Sequence, residues 1–173
     1  KQTATEETES SEETTDKEEA NADEADSDEE EAAEAEADEA EAELEAAIEV
    51  ENDLRSEIVT YALQFVGNRY KYGGTNPNTG VDCSGFTSYV MRHAAEVELP
   101  HSSGGQSRMG RQVSSSEMRP GDIICYGSGK RINHVALYIG NGQIVHASTE
   151  RTGIKVSRWN YRTPVRIVNV LGD

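Results

Sequence analysis

The chain has 173 residues and a formal net charge of −17, and its acidic residues are concentrated at one end. Residues 1–53 contain 25 Asp and Glu against two Lys, whereas residues 54–173 have a net charge of +6 and contain every aromatic residue and both cysteines. Two cysteines do not make a disulfide framework, and no apolar run reaches the roughly 18 residues of a membrane span. The composition therefore predicts an acidic low-complexity segment over residues 1–53 and one folded domain over residues 54–173.

The acidic segment is rich in Glu and Ala and contains no Gly, Pro or aromatic residue. Because it has little apolar surface and strong self-repulsion, its first thirty residues are expected to be disordered. From about residue 37, high helix propensity favours a fraying helix that continues into the folded domain. The segment fits either a solvated spacer or the remnant of a coiled coil. Contact with a partner, or with the chain's own basic domain, is a further alternative.

The first part of the folded domain has helical periodicity. Apolar residues over 54–65 recur at helical spacing, and Gly67 is expected to end this helix. Residues 70–80 contain strong turn signals, and residues 83–97 predict a second helix. The Gly- and Ser-rich residues 100–116 predict an irregular connection of the kind that lines binding sites.

The later part has the alternating pattern of β-strands. About five strands are predicted, and Gly140-Asn141-Gly142 is a strong hairpin signal between the second and the third. Helices followed by antiparallel strands predict an α+β fold, with the helices packed on one face of the sheet. The predicted strands are Asp122–Tyr126, Ile132–Ile139, Gln143–Ala147, Ile154–Ser157 and Val165–Val170.

Cys83 lies in the first turn of the predicted second helix, directly after Asp82, a candidate N-cap. There the helix dipole and the unpaired N–H groups are expected to lower the pKa of the thiol, and a thiolate is a nucleophile. A buried structural cysteine is the alternative. Cys125 lies in an Ile-Ile-Cys-Tyr run and is expected to be a small buried hydrophobic residue.

A thiolate nucleophile needs a proton acceptor, and two histidines lie on the strands that the Gly-Asn-Gly turn joins. If the loop has three residues, Ile139 pairs with Gln143, and His134 and His146 lie diagonally on one face. A two-residue loop is expected to place them on opposite faces. With the three-residue loop, His134 is the base for the cysteine, and His146 fixes the tautomer of His134.

The second predicted strand has an apolar odd-numbered set, Val135, Leu137 and Ile139, so the core is expected beneath these residues. A cleft is expected between the even-numbered face and the second helix. His93 and His101 are expected at the surface. A metal site built from Cys83 and the two strand histidines is an alternative, but it lacks the close ligand spacing typical of zinc sites.

Six motifs, in this order, resemble the NlpC/P60 cysteine peptidases, and the resemblance covers residues 54–173. It implies a papain-like α+β fold and hydrolysis of bacterial cell-wall peptides, typically between γ-D-glutamyl and a diamino acid. Alternatives are a papain-like amidase that cuts between the sugar lactyl group and the peptide, and a non-catalytic wall-binding module. The motifs are Tyr70-Lys-Tyr-Gly-Gly74, Asp82-Cys-Ser-Gly-Phe86, Leu99-Pro100 with Gln106, Arg119-Pro-Gly-Asp122, His134-Val-Ala-Leu-Tyr-Ile-Gly140 and Ile144-Val-His-Ala-Ser148.

The resemblance implies that Cys83 is the nucleophile, His134 the base and His146 the orienting residue, with the Tyr70 hydroxyl near the thiol as an oxyanion donor. It implies a secreted or wall-associated bacterial protein that acts on peptidoglycan without a metal or organic cofactor. The basic domain suits an anionic wall, and no interleaved aromatic and basic residues favour nucleic acid. Three further positions match residues that contact the peptide in relatives: Asp82, Ser84 and Ser103.

Overall fold

The computed structural model describes the backbone of residues 23–173 and the side chains of residues 32–173. The first helix, α1, spans Asp23–Leu63. The expectation of disorder is therefore wrong for residues 23–30, which form the first turns of α1 ahead of its Ala- and Glu-rich part, where helix propensity is high. The remaining residues for which disorder was expected, 1–22, lie outside the described residues. The predicted continuation of this helix beyond residue 53 is confirmed.

The chain divides into two compact units, residues up to Glu45 and residues Ala46–Asp173. In the second unit, α1 buries Ile58 and Ala62, and Phe65 is buried just beyond its end, as the apolar spacing predicts. Gly67 has a φ of 93°, and its N–H donates to the carbonyl of Ile154 at 2.8 Å. No helix in the described part of the chain is long and apolar enough to cross a membrane.

Short elements lie between α1 and the main sheet. A two-stranded hairpin, β1 (Thr75–Asn76) and β2 (Gly80–Val81), precedes the second helix, α2, which spans Cys83–Ala95. Glu96 ends α2 in the left-handed conformation, with a φ of 56°. The connection that follows α2 contains a short helix, α3 (Ser103–Gln106).

The main sheet is antiparallel and has six strands, in the order β3-β8-β4-β5-β6-β7. The five predicted strands are present, and the α+β fold is confirmed. The sixth, β3, has only two residues and is defined by its pairing with β8, so no sequence period marks it. The strands are β3 (Arg111–Gln112), β4 (Ile123–Ser128), β5 (Arg131–Gly140), β6 (Gln143–Thr149), β7 (Gly153–Arg158) and β8 (Pro164–Asn169).

The two faces of the sheet carry separate hydrophobic clusters. Val135 and Leu137 of β5 belong to the same cluster as Phe86 and Val90 of α2, so the core lies beneath the odd-numbered residues as predicted. The predicted cleft between the even-numbered face and α2 is wrong, because α2 packs on the opposite face. The even-numbered face has its own apolar cluster: Val113, Ile124, Tyr126, Ala136, Tyr138, Ile144 and Ile167.

The β5–β6 hairpin has the register that places both histidines on one face, but its turn differs from the predicted three-residue loop. Gly140 pairs with Gln143, so the turn has two residues, and the prediction that Ile139 pairs with Gln143 is wrong. A bulge between Tyr138 and Gly140 adds one residue to β5, and Leu137 therefore pairs with Val145 as in the three-residue model. Gly140, Asn141 and Gly142 all have positive φ, which this combination of bulge and turn requires.

The start of β4 is fixed to α1 by a buried ion pair. The guanidinium of Arg55 is 3.1 Å from Asp122 and also pairs with Asp173. Asp122 accepts a second hydrogen bond from the backbone N–H of Arg119 at 2.8 Å. This gives the Arg-Pro-Gly-Asp motif a structural role, since loss of one partner of a buried pair costs about 3–5 kcal/mol.

Candidate active site

The Cys83 thiol lies where the first turn of α2 meets the backbone of β5. Asp82 is the N-cap, as predicted, and its carboxylate accepts from the Gly85 N–H at 2.8 Å. The backbone N–H groups of Val135, Ser84 and Cys83 lie near the sulfur, where each favours the thiolate and lowers the pKa of the thiol. A Cβ atom at Gly85 would collide with the carbonyl oxygen of Gly74, which explains a glycine two residues after the cysteine.

The prediction that the pKa of the Cys83 thiol falls is wrong. Burial raises it and is the largest effect, and the neighbouring Asp82 carboxylate raises it further. The three backbone N–H groups lower it but do not outweigh burial. The thiol is therefore protonated at neutral pH.

His134 and His146 are brought together on the even-numbered face of β5 and β6. Nε2 of His134 lies 2.8 Å from Nδ1 of His146, and the side chains are 8% and 1% exposed. Nε2 of His146 lies 2.9 Å from Oγ of Ser157 on β7. The three side chains form a chain of hydrogen bonds across three neighbouring strands, with both histidines buried and Ser157 partly buried.

This chain of hydrogen bonds couples the tautomers of the two imidazoles. If Ser157 accepts from Nε2–H of His146, then Nδ1 of His146 accepts from Nε2–H of His134. Nδ1 of His134 is then unprotonated, as a base requires. If Ser157 instead donates to His146, both imidazoles take the other tautomer, and Nδ1 of His134 carries a proton.

Both histidines are neutral over most of the pH range. Burial lowers the pKa of His134 to about 4, and the charge of Arg162 acts in the same direction. Burial lowers the pKa of His146 to about 3, with smaller contributions from His134 and Lys155. At neutral pH the two imidazoles and the Cys83 thiol are therefore all uncharged.

Tyr70 lies beside the cysteine and forms an isolated bridge with Val81. Burial raises the pKa of its hydroxyl, and the nearby Cys83 and Asp82 raise it further. The hydroxyl is thus an O–H donor at neutral pH. Tyr72, two residues on, is 84% exposed and does not pack on the core.

Asp82 also organises the loops around the cysteine. One carboxylate oxygen accepts from the Gly73 N–H at 3.1 Å, and the other lies 2.8 Å from Nε2 of His101. Ser84 is buried, and its hydroxyl lies 3.4 Å from Asp82. Ser103 begins α3, and its hydroxyl lies 3.5 Å from the carbonyl oxygen of Ile132. Ser84 is thus turned towards Asp82 and away from the surface.

The remaining histidine lies apart from this site. His93 is exposed on α2, as predicted, and its ring stacks on Tyr89 with the ring centroids 4.0 Å apart. Residues 32–173, whose side chains are described, contain no group of three or more His, Cys, Asp or Glu arranged to hold a metal ion.

The NlpC/P60 family model matches residues 67–167, which is more than half of the chain. The chain belongs to the NlpC/P60 family. The NlpC/P60 domain of the peptidoglycan hydrolase SagA is 32% identical, with a TM-score of 0.62, over 66% of this chain and 97% of that domain. The peptidoglycan hydrolase RipB of Mycobacterium tuberculosis is 28% identical, with a TM-score of 0.63, over 70% of this chain and 67% of that structure.

Among curated relatives, the murein DD-endopeptidase MepS/murein LD-carboxypeptidase of Escherichia coli (strain K12) is 41% identical over 108 residues. The match covers 62% of this chain and 56% of that relative. The chain therefore spans about half the length of this relative. The resemblance read from the six motifs is confirmed at the level of the family.

Sequence reasoning missed three side chains of the site in this NlpC/P60 domain. The Tyr161 ring lies over His146, with centroids 5.3 Å apart, and Arg162 lies over the Tyr126 ring at 5.7 Å. Ser157 lies at the end of the hydrogen-bond chain. No hydrophobic period marks these residues. The one available signal is the density of aromatic and basic side chains in the β7–β8 loop.

A buried glutamine supports the first turn of α2. The side-chain amide of Gln106 donates to the carbonyl oxygens of Ser84 and Pro100, each at 2.9 Å. Its carbonyl accepts from the Thr87 hydroxyl at 2.6 Å. The sequence marks Gln106 only as part of a motif, whereas in the structure its hydrogen bonds join residues 100–106 to the helix that carries the cysteine.

Proposed function

We propose that this domain hydrolyses peptide bonds in peptidoglycan stem peptides by a thiol mechanism, with Cys83 as nucleophile, His134 as base and His146 as the residue that orients it. The observation that carries the proposal is the 2.8 Å hydrogen bond between His134 and His146, together with a cysteine at a helix N-terminus whose sulfur lies near the backbone N–H of Val135, the residue after His134. A nucleophile, a base and a third group that holds the base are the parts that acyl transfer requires.

Attack on the amide begins from the neutral thiol. Nδ1 of His134 accepts the Cys83 proton as the sulfur bonds to the substrate carbonyl carbon, because the raised thiol pKa disfavours a resting ion pair. The hydrogen bond to His146 stabilises the imidazolium that forms. His134 then gives this proton to the leaving amine as the C–N bond breaks, and a thioester remains. Water, deprotonated by His134, releases the acyl group and restores the thiol.

The oxyanion of the tetrahedral intermediate needs donors on the side of the carbonyl oxygen. The Cys83 backbone N–H belongs to the first turn of α2, where N–H groups lack an intrahelical partner. Tyr70 supplies a second donor, since its raised pKa keeps the hydroxyl protonated. We assign contacts with the bound peptide to Asp82, Ser84 and Ser103 by position, with the buried Ser84 acting through Asp82.

Two stem-peptide bonds are candidates. The family resemblance favours the bond between γ-D-glutamyl and a diamino acid. The 41% identity to a murein DD-endopeptidase favours a bond in the cross-links between stems. No contact in the site favours the amidase alternative. The buried His134–His146 pair argues against a non-catalytic wall-binding module, because such a module does not require it.

Secretion or wall association follows from the proposed substrate, which lies outside the bacterial membrane. The start of the folded domain at residue 54 stays a prediction. So does the role of residues 1–53, as a spacer or as a contact with the basic domain or a partner.

Digestion of purified muropeptides, both monomers and cross-linked dimers, tests the function and identifies the bond. Mass analysis should show new fragments whose masses report cleavage after γ-D-glutamyl or within the cross-link. His134→Ala should reduce the rate by about 10²–10⁴-fold, the range for a general base. His93→Ala, an exposed histidine on α2, is the matched control and should retain full activity. Equal activity in the wild type and His134→Ala would show that His134 is not the base. Absence of cleavage of every muropeptide would overturn the proposed function.

A further inference from the structure

Arg162 lies in the β7–β8 loop and reaches the neighbourhood of the proposed base. Its guanidinium donates to Oδ1 of Asn133 at 3.0 Å, and Asn133 precedes His134 in β5. The same guanidinium lies 5.7 Å from the centroid of the Tyr126 ring, whose centroid is 6.0 Å from that of His134. Arg162 is therefore held on the His134 side of the site by contacts with two other strands.

The partners of Arg162 leave its positive charge uncompensated. Asn133 is a neutral amide, and Tyr126 presents a ring face. The ion pairs found among residues 32–173 use other basic side chains, and none includes Arg162. A partly buried arginine held by neutral groups has donors left for an anion.

The proposed chemistry places this cation on one side of the scissile bond. His134 gives a proton to the leaving amine, so the amine nitrogen lies at His134, whereas the carbonyl oxygen points to the Cys83 N–H and Tyr70. Arg162 neighbours His134 through Asn133 and Tyr126. On the proposed mechanism, Arg162 therefore lies on the leaving-amine side of the scissile bond.

We propose that Arg162 binds a carboxylate of the residue that supplies the leaving amine, and so selects stem peptides in which that carboxylate is free over those in which it is amidated. This inference rests on the proposed function and adds a specificity determinant to it. A diamino acid that ends a stem peptide carries such a carboxylate next to the leaving amine. The planar guanidinium matches a carboxylate in geometry as well as in charge.

The test compares two synthetic peptides, L-Ala-γ-D-Glu-diamino acid with the terminal carboxyl either free or as the primary amide. If the muropeptide digest shows cleavage in the cross-link, two cross-linked peptides are compared instead. They differ in whether the carboxyl group of the residue that supplies the leaving amine is free or a primary amide. The ratio of kcat/KM values is measured for the wild type, Arg162→Gln, Arg162→Lys and Arg158→Gln. Arg158 is an exposed arginine at the end of β7 and is the matched control.

The wild type and Arg158→Gln should prefer the free carboxylate by about tenfold or more, as a charge-assisted hydrogen bond allows. Arg162→Gln should lower kcat/KM for the carboxylate peptide and bring the ratio close to one, while Arg162→Lys should restore part of the preference. A merely structural role for Arg162 would lower both values together and leave the ratio unchanged, which would overturn the inference. A wild type that cleaves both peptides equally would also overturn it without affecting the proposed function, whereas failure to cut any muropeptide or peptide would overturn the proposed function itself.

Discussion

The two cysteines of this chain lie in contrasting surroundings. Cys125 is fully buried in β4, between Ile124 and Tyr126, and burial raises the pKa of its thiol to about 12. Cys83 is only partly buried, and backbone N–H groups of the first turn of α2 and of Val135 in β5 act on its sulfur to lower the pKa of the thiol. Burial raises both thiol pKa values, so burial alone does not explain why Cys83 and not Cys125 is the proposed nucleophile.

The neighbours of each sulfur make the difference. Beside Cys83 lie the Tyr70 hydroxyl and β5, which carries the hydrogen-bonded His134. The charged group that acts on Cys125 is Arg166, which lies opposite it on β8 and cannot accept a proton. A thiol with a raised pKa becomes a nucleophile only where a base can take its proton during attack.

The largest effect expected from this contrast is on muropeptide cleavage. Cys83→Ala removes the proposed nucleophile and should reduce kcat by at least about 10⁴-fold. Cys125→Ala removes a buried sulfur, so it should retain activity and lower the free energy of unfolding by about 1 kcal/mol. Kinetic assays and urea denaturation of the two variants measure both quantities. Retained activity in Cys83→Ala would break the contrast.

A smaller effect is expected at the far end of the hydrogen-bond chain. Ser157→Ala removes the group 2.9 Å from His146 Nε2 and frees both imidazoles to exchange tautomers. We expect kcat to fall about fivefold, with little change in KM, since one orienting hydrogen bond is worth about 1 kcal/mol.

Ser157→Thr keeps the hydroxyl and is the conservative control, so it should recover most of the activity. ¹⁵N spectra of the imidazoles should show one tautomer in the wild type and a mixture in Ser157→Ala. An unchanged tautomer in Ser157→Ala would show that His146 is oriented by other contacts.

A further effect is expected on stability in mild acid, without a change in the proposed chemistry. The pKa values of His134 and His146 are about 4 and about 3 in the folded protein, against about 6.5 in an unfolded chain. Between these values the unfolded state binds more protons than the folded state. Stability is therefore fully present above pH 6.5 and falls as the pH falls towards 4 and 3.

Between pH 7 and pH 5 each buried histidine should lower the free energy of unfolding by about 2 kcal/mol. Urea denaturation at the two pH values measures the loss. His134→Asn should show a smaller loss than the wild type, whereas the exposed His93→Asn should not differ from it. A loss of equal size in all three proteins would place the acid sensitivity elsewhere in the chain.

The sequence by itself determined the order of the elements, because apolar spacing reports local secondary structure directly. It marked α2 from its cap at Asp82, and it predicted the five longer strands, with a shared face for the two strand histidines only if the loop between them had three residues. It also placed Cys125 in the core. The six motifs identified the family, which the match over residues 67–167 confirms.

Only the tertiary structure decided how His134 and His146 come to lie on the same face of the sheet. The two-residue turn by itself would have separated His134 from His146, and the bulge at Ile139 restores their shared face. A bulge depends on pairing between strands, so no local pattern reveals it. For the same reason the sequence did not show that α2 packs on the odd-numbered face of the sheet.

The tertiary structure also decided the protonation of the site. The helix N-terminus could be read from the sequence, and it does lower the pKa of the Cys83 thiol through its N–H groups. Burial raises that pKa by more, and burial depends on side chains that are distant in sequence. Ser157, Tyr161 and Arg162 join the site in the same way, because β7 and the β7–β8 loop come close to β5 and β6 only in the folded chain.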